Sequence, residues 1–164
     1  MRQTTLRAAV RRLASLCSNI GMTEVVAAIL EREGRVLIGR RQPEQSHPLK
    51  WEFPGGKVEP GESPAQALAR ELEEELGIRD AAGEKIARYE YTYPGKEPIT
   101  LYFFRVLSFQ GEPRNLIFHE MRWEPRENLG RFDFVEGDLP FLRGFAPPAR
   151  PEGGDYSAQS EPRP

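Results

Sequence analysis

A single cysteine, Cys17, is all the thiol the chain carries. That excludes an intramolecular disulfide framework and suits a reducing, cytoplasmic setting. Apolar runs long enough to cross a bilayer as a helix are missing too, and there is no internal repeat from which a solenoid would be built. Charge of one sign is not in excess: 23 Lys and Arg face 25 Asp and Glu, a formal net charge of −2. No global field therefore draws this protein to a nucleic-acid polymer or a membrane. What remains is 164 residues with an ordinary apolar share of 38%, enough for one domain with a proper core.

The two ends differ from the middle. Residues 1–22 hold Arg2, Arg7, Arg11 and Arg12 with no acid before Glu24, and Leu6, Val10, Leu13 and Leu16 fall near helical spacing. An Arg-rich, acid-free amphipathic start is read as a targeting segment, as a small helix lying on the domain, or as a leader upstream of a true start at Met22. The last is favoured, because Thr23-Glu24-Val25-Val26 begins a strand at once. From Ala146 to Pro164, Pro, Gly, Ser and Arg dominate and apolar residues are sparse, so a disordered tail is expected. The domain proper is expected over 23–145.

Within it, Val25 to Leu30 is a short apolar run of buried-strand type. Glu31-Arg32-Glu33-Gly34 reads as a turn and Arg35 to Arg41 as a second strand. A loop, Gln42 to Lys50, leads to Trp51-Glu52-Phe53-Pro54-Gly55-Gly56-Lys57. Farther on, Glu84 to Tyr93 and Ile99 to Phe109 are rich in aromatic and β-branched residues and read as long strands around the turn Pro94 to Pro98. His119 to Glu124 is a shorter strand, and 137–144 suits a last helical turn or two. Strands before and after one central helix make an α+β domain with a mixed sheet.

That helix is the firmest feature. Ser63 is a good N-cap, Pro64 suits the first turn, and Gln66 completes a capping box. Leu68, Leu72 and Leu76 form an apolar stripe, and Gly77 is a natural stop. Glu71, Glu74 and Glu75 are spaced i, i+3 and i+4 and share one face. Like charges so placed repel, and for an arbitrary Glu-rich helix a solvated acidic face is the ordinary reading. Here glycines at 55, 56 and 61 precede the helix, and glycine-rich turns beside a hard cation are where phosphates sit. Mg²⁺ or Mn²⁺ prefers carboxylate oxygens and would resolve the repulsion.

The stretch also fits a known pattern: Gly56, five residues, Glu62, seven residues, then Arg70-Glu71-Leu72, Glu74-Glu75 and Gly77-Ile78. This resembles the Nudix box. With Arg40 through Lys57 included, the chain is similar to the MutT-type nucleoside triphosphate pyrophosphohydrolases of that family. The resemblance implies a Nudix fold, a mixed β-sheet sandwiched between helices. It also implies Mg²⁺-dependent hydrolysis of a nucleoside triphosphate to the monophosphate and pyrophosphate, as in sanitizers of 8-oxo-dGTP or enzymes acting on CTP and modified dCTP.

Carried onto this chain, the resemblance makes Gly56 (through its carbonyl), Glu71, Glu74 and Glu75 the metal ligands. Arg70 would orient the carboxylates through Glu62. Arg41 and Lys57 would contact phosphate, Tyr93 would lie near the base, and Asp138 would read it. Phe53 is assigned to substrate as well, against the usual fate of an aromatic, which is core. Relatives often carry a further glutamate where this chain has Ile117. Glu120 is the nearest substitute as general base; a box glutamate, or a water needing little help, is the alternative. Two other classes stay open: a non-catalytic nucleotide sensor, and a hydrolase of another diphosphate such as ADP-ribose. The expected partner is a free nucleotide, and the protein a monomer or homodimer.

Overall fold

Alternation along one strand decides the layers. In the computed structural model, which describes residues 22–146, strand β1 (Thr23–Ile29) lies between two neighbours. Val26 and Ala28 face one side with Leu72 and Leu76, whereas Ala27 and Ile29 face the other with Trp51, Phe103 and Leu142. Both faces of the strand are thus covered, which is why Val25 to Leu30 reads as a continuous apolar run rather than an alternating one. The expected leader and tail lie outside the described residues, apart from Met22 and Ala146.

Strand β2 is Glu31–Arg32, β3 Arg35–Arg40, β4 Trp51–Glu52, β5 Gly55–Lys57, β6 Arg79–Tyr91, β7 Ile99–Gln110 and β8 Glu120–Pro125. One sheet has the order β5-β1-β7-β6, with β1 parallel to β7 and the other pairs antiparallel. The second is centred on β3, which pairs antiparallel with β2, β4 and β8. Helix α1 (Pro64–Leu76) covers one face of the first sheet. The short helix α2 (Leu139–Phe145), with the 3-10 turns Arg126–Arg131 and Glu136–Asp138, closes the other. The mixed α+β arrangement is the one expected.

Local differences have local causes. The turn between β2 and β3 is only Glu33-Gly34, both at positive φ (51° and 75°), so Glu31 and Arg32 pair with Val36 and Arg35. That is the geometry of a tight two-residue hairpin. Strand β6 begins at Arg79 rather than Glu84; Asp80 sits at φ 52° and register shifts interrupt its pairing, which hides the period-two pattern. Strands β4 and β5 were not expected. Trp51-Glu52 is too short to show a period and Pro54-Gly55-Gly56 argues against strand, so only pairing with Gly39–Arg40 and Val25–Ala27 makes them so. Gly55 approaches β1 so closely that a Cβ there would stand 2.1 Å from the Val26 carbonyl oxygen.

Candidate active site

The helix start is built as its residues dictate. Ser63 Oγ accepts from the Gln66 N–H at 3.3 Å and Gln66 Oε1 accepts from the Ser63 N–H at 2.8 Å, a complete capping box. Gly77 closes the far end at φ 70°, its N–H donating to the Glu73 carbonyl. The rigid rod between them sets the spacing of the glutamates. Their environments, however, are graded. Glu74 is largely in solvent, its side chain 60% exposed; Glu71 is half-buried; Glu75 faces the sheet and is only 7% exposed.

Arg70 organises this end. Its guanidinium donates to both oxygens of Glu62 (3.2 and 2.7 Å), to Glu71 Oε1 at 2.9 Å, to Glu74 Oε2 at 3.4 Å and to the Lys57 carbonyl at 2.9 Å. The forked donor geometry is specific to arginine. Hydrogen bonding from Arg70 holds the Glu62 carboxyl below its ordinary value, and the same bonds raise Arg70 itself. Thus the loop that ends at Glu62, the β5 backbone and α1 are joined through one side chain.

Glycines bring the backbone to the carboxylates. The Gly55 N–H donates to Glu75 Oε2 at 2.9 Å. A Cβ on Gly56 would stand 2.4 Å from Glu71 Oε1, so a side chain there would displace the carboxylate from β5. Burial pushes Glu75 up to about 9, and the neighbouring charges of Glu52 and Glu71 push the same way. Burial also raises Glu71, against the pull of Arg70.

The other end is assembled from distant segments. Trp51 N–H donates to the Asp133 carbonyl and Val135 N–H to the Trp51 carbonyl, both at 2.8 Å. The ladder is continued not by backbone but by a side chain: Asp138 Oδ2 accepts from the Phe53 N–H at 3.2 Å. Asp138 stands at the N-terminus of α2 yet makes no capping hydrogen bond there. It is 5% exposed, and burial pushes its carboxyl up to about 8, with Glu52 adding to the rise. A helix cap would have turned outward to the free N–H groups; this carboxyl turns inward.

Several expected residues fall elsewhere. The Phe53 ring is 3% exposed and packed among Phe103, Phe134, Phe141 and Phe145. Its ring thus takes the usual place of an aromatic in the core, and its N–H serves Asp138. Glu120 is paired with Arg122 at 2.5 Å and Arg40 at 3.8 Å, because its register opposite Arg40 on β3 turns it to those arginines. Its carboxylate is thus engaged by two cations on that side of the sheet. Arg41 donates to Glu52 Oε2 at 2.6 Å and to the Ser46 carbonyl at 2.7 Å, while Lys57 is exposed at the end of β5. Tyr93 meets the Asp138 segment through its hydroxyl, which accepts from the Gly137 N–H at 3.2 Å.

Glu52 is turned by sequence reasoning to the face opposite Trp51 and Phe53 but is given no role in the site. It raises both Glu75 and Asp138, and its own carboxyl is raised by burial against the pull of Arg41. One acid therefore lies within electrostatic reach of both ends of the site. The signal was available: an acid between two buried aromatics must face away from them, and Arg41 was the basic residue at hand to pair with it.

As for a cation, no three His, Cys, Asp or Glu side chains among the described residues stand together as a ready-made cage. Glu71 and Glu74 are held by Arg70, and Glu75 by Gly55. The donor set nonetheless suits a hard divalent ion, being all oxygen and crowded with like charge. The Gly56 surface against Glu71 is a cradle that a Cβ would fill.

The NUDIX domain family matches residues 22–145. A CTP pyrophosphohydrolase of Escherichia coli (strain K12) is 40% identical over 124 residues, covering 76% of this chain and 91% of that protein. The 8-oxo-dGTP diphosphatase of Haemophilus influenzae is 43% identical over 112 residues, 68% of this chain and 82% of that one. The solution structure of the E. coli ORF135 protein superposes with a TM-score of 0.67 at 39% identity, covering 76% and 88% of the two chains.

Proposed function

The chain belongs to the Nudix family, whose hydrolases act on nucleotides with a divalent cation, and from that premise we propose that Glu71, Glu74, Glu75 and the Gly56 carbonyl hold Mg²⁺ for cleavage of a nucleoside triphosphate to the monophosphate and pyrophosphate. The observation that carries this reading is Arg70, which ties Glu62, Glu71 and Glu74 to the β5 backbone and keeps the acidic face in one arrangement. A nucleotide sensor has no need of such a set.

The chemistry supplied by a bound cation is neutralisation of phosphate charge and activation of water. The chain's own residues do the rest. The exposed Lys57 at the end of β5 would meet phosphate oxygens, and Arg41, held by Glu52 and Ser46, would stand behind them. A carboxylate must take the proton from the attacking water. With Glu120 engaged by Arg122 and Arg40, a glutamate of α1 is the candidate.

Base choice belongs to Asp138, with Glu52 beside it. A carboxyl kept neutral by burial offers one donor and one acceptor. That pair matches O6 and N7–H of 8-oxoguanine, and equally N3 and N4–H of cytosine. On that same edge unmodified guanine does not match, because O6 and N7 both accept. We take 8-oxo-dGTP as the preferred substrate. CTP is the second reading, favoured by the likeness to a CTP pyrophosphohydrolase. The protein would work as a monomer or homodimer on free nucleotides in the cytoplasm. Among the described residues no helix is long and apolar enough to cross a membrane.

The test is a panel of 8-oxo-dGTP, dGTP, CTP, dCTP and ADP-ribose with Mg²⁺, scoring pyrophosphate against orthophosphate. Pyrophosphate from 8-oxo-dGTP at the highest kcat/KM is the expected result. Turnover of ADP-ribose alone, or of nothing, would sink the proposal.

A further inference from the structure

Two tyrosine hydroxyls converge on a single glycine. Tyr89 O–H donates to the Gly137 carbonyl at 2.7 Å, and the Gly137 N–H donates to Tyr93 Oη at 3.2 Å. Gly137 is the residue before Asp138, and its carbonyl belongs to the peptide that joins the two. A Cβ on Gly137 would stand 2.7 Å from Tyr93 Oη, so glycine is what lets that hydroxyl reach the backbone. Both phenols are themselves braced. The Tyr89 ring stacks on Phe103 at 5.5 Å, and Phe103 on Phe141 at 4.2 Å. The Tyr93 ring lies between His47 and Tyr91, each at 4.8 Å.

We infer that Tyr89 and Tyr93 are positioning residues for base selection: gripping Gly137 from both sides, they hold the Asp138 carboxyl where it meets the base. This rests on the reading of Asp138 as the base-reading group. The plainer account is that the hydroxyls only satisfy buried backbone groups. The geometry goes further. The Asp138 side chain is fixed by the Phe53 N–H, and the backbone before it by the two phenols, so β4–β5 and β6 together set one carboxyl. A shift of that carboxyl would affect nucleotides that pair with it and leave the phosphate end alone.

The experiment measures kcat and KM for 8-oxo-dGTP, dGTP, CTP and dCTP with Mg²⁺ in wild type, Tyr89→Phe, Tyr93→Phe and Asp138→Ala, with melting temperatures alongside. Phenylalanine keeps the ring packing and removes only the hydroxyl. Each Tyr→Phe change is expected to shrink the ratio between the best and worst nucleotide roughly three- to tenfold, the scale of one lost hydrogen bond. The loss should appear in KM for the preferred nucleotide. Tyr89→Phe should add little in the Asp138→Ala background, because coupled groups are non-additive. Gly137→Ala, which displaces Tyr93, should act like Tyr93→Phe. If the tyrosine variants lower all four nucleotides by one factor, or leave the ratio intact, while Asp138→Ala compresses it, the inference fails and the Asp138 reading stands. If Asp138→Ala also leaves the ratio unchanged, the Asp138 reading falls and takes this inference with it.

Discussion

The carboxylate end of the site and the Asp138 end, proposed to meet the base, are built in opposite ways. The first is a stretch of consecutive chain, Gly55 to Gly77, in which a capped helix and a glycine-rich strand meet through Arg70. The second draws Glu52 and Phe53 from β4 and its exit, Tyr89 and Tyr93 from β6 and the turn after it, and Gly137 and Asp138 from the approach to α2. The first is charged and partly wet; the second is buried and holds its acid in a hydrogen bond to backbone. A site of this kind can keep the chemistry that all its substrates share on local structure, and leave discrimination to contacts that tertiary packing can retune.

If that division holds, substitutions at the two ends must separate in what they change. Glu74→Gln should show the largest effect. Glu74 is exposed and the helix propensities of Glu and Gln are similar, so the melting temperature should barely move. Turnover should fall on every nucleotide by more than the roughly hundredfold ceiling for outer-shell changes. Full Mg²⁺-dependent activity in this variant would break the comparison at its stronger side. Arg70→Lys comes next. A lysine cannot reproduce five hydrogen bonds in a planar fork, and losing an outer-shell partner should cost about ten- to a hundredfold in turnover or metal affinity. That loss should again be uniform across bases, which a Mg²⁺ titration against each nucleotide would check.

The base end should answer differently. Asp138→Ala is expected to remove about 1–3 kcal/mol of discrimination between best and worst nucleotide. An equal fall in kcat/KM on all four nucleotides would instead mark Asp138 as a structural group. The smallest effect is one of stability. Burial raises the folded pKa of Asp138 to about 8, well above the unfolded value of about 4. Folding therefore favours the protonated form. The contribution is full below about pH 4 and is lost as pH rises through about 8. With divalent cations chelated, wild type should lose more melting temperature over that interval than Asp138→Asn, whose amide does not titrate. Parallel curves would mean that the carboxyl is not held neutral.

How much of this was legible before folding varies with distance along the chain. Ser63, Gln66 and Gly77 announce the ends of α1 because capping is completed within a few residues. Spacing alone puts Glu71, Glu74 and Glu75 on neighbouring turns. Acids outside the helix carry no such mark. An aspartate before Leu139-Pro140 looks like a helix cap, and Glu120 after His119 looks as available as any acid. Register decided otherwise: pairing with Arg40 gives Glu120 to arginines, and the ladder from Trp51 to Val135 brings Asp138 to the Phe53 N–H.

The order of residues by itself determined the central helix, the spacing of its glutamates, the glycines that let backbone approach them, and the continuous apolar run that becomes β1. These depend on periodicity and on caps, which act over a turn or two of chain. Only the tertiary structure decided that Glu75 is buried while Glu74 is open, that the Phe53 ring is core, that Glu52 lies within reach of both ends, and that Asp138 turns inward. Each of those depends on which surface another segment covers, and burial, unlike spacing, is not a property of any one stretch of sequence.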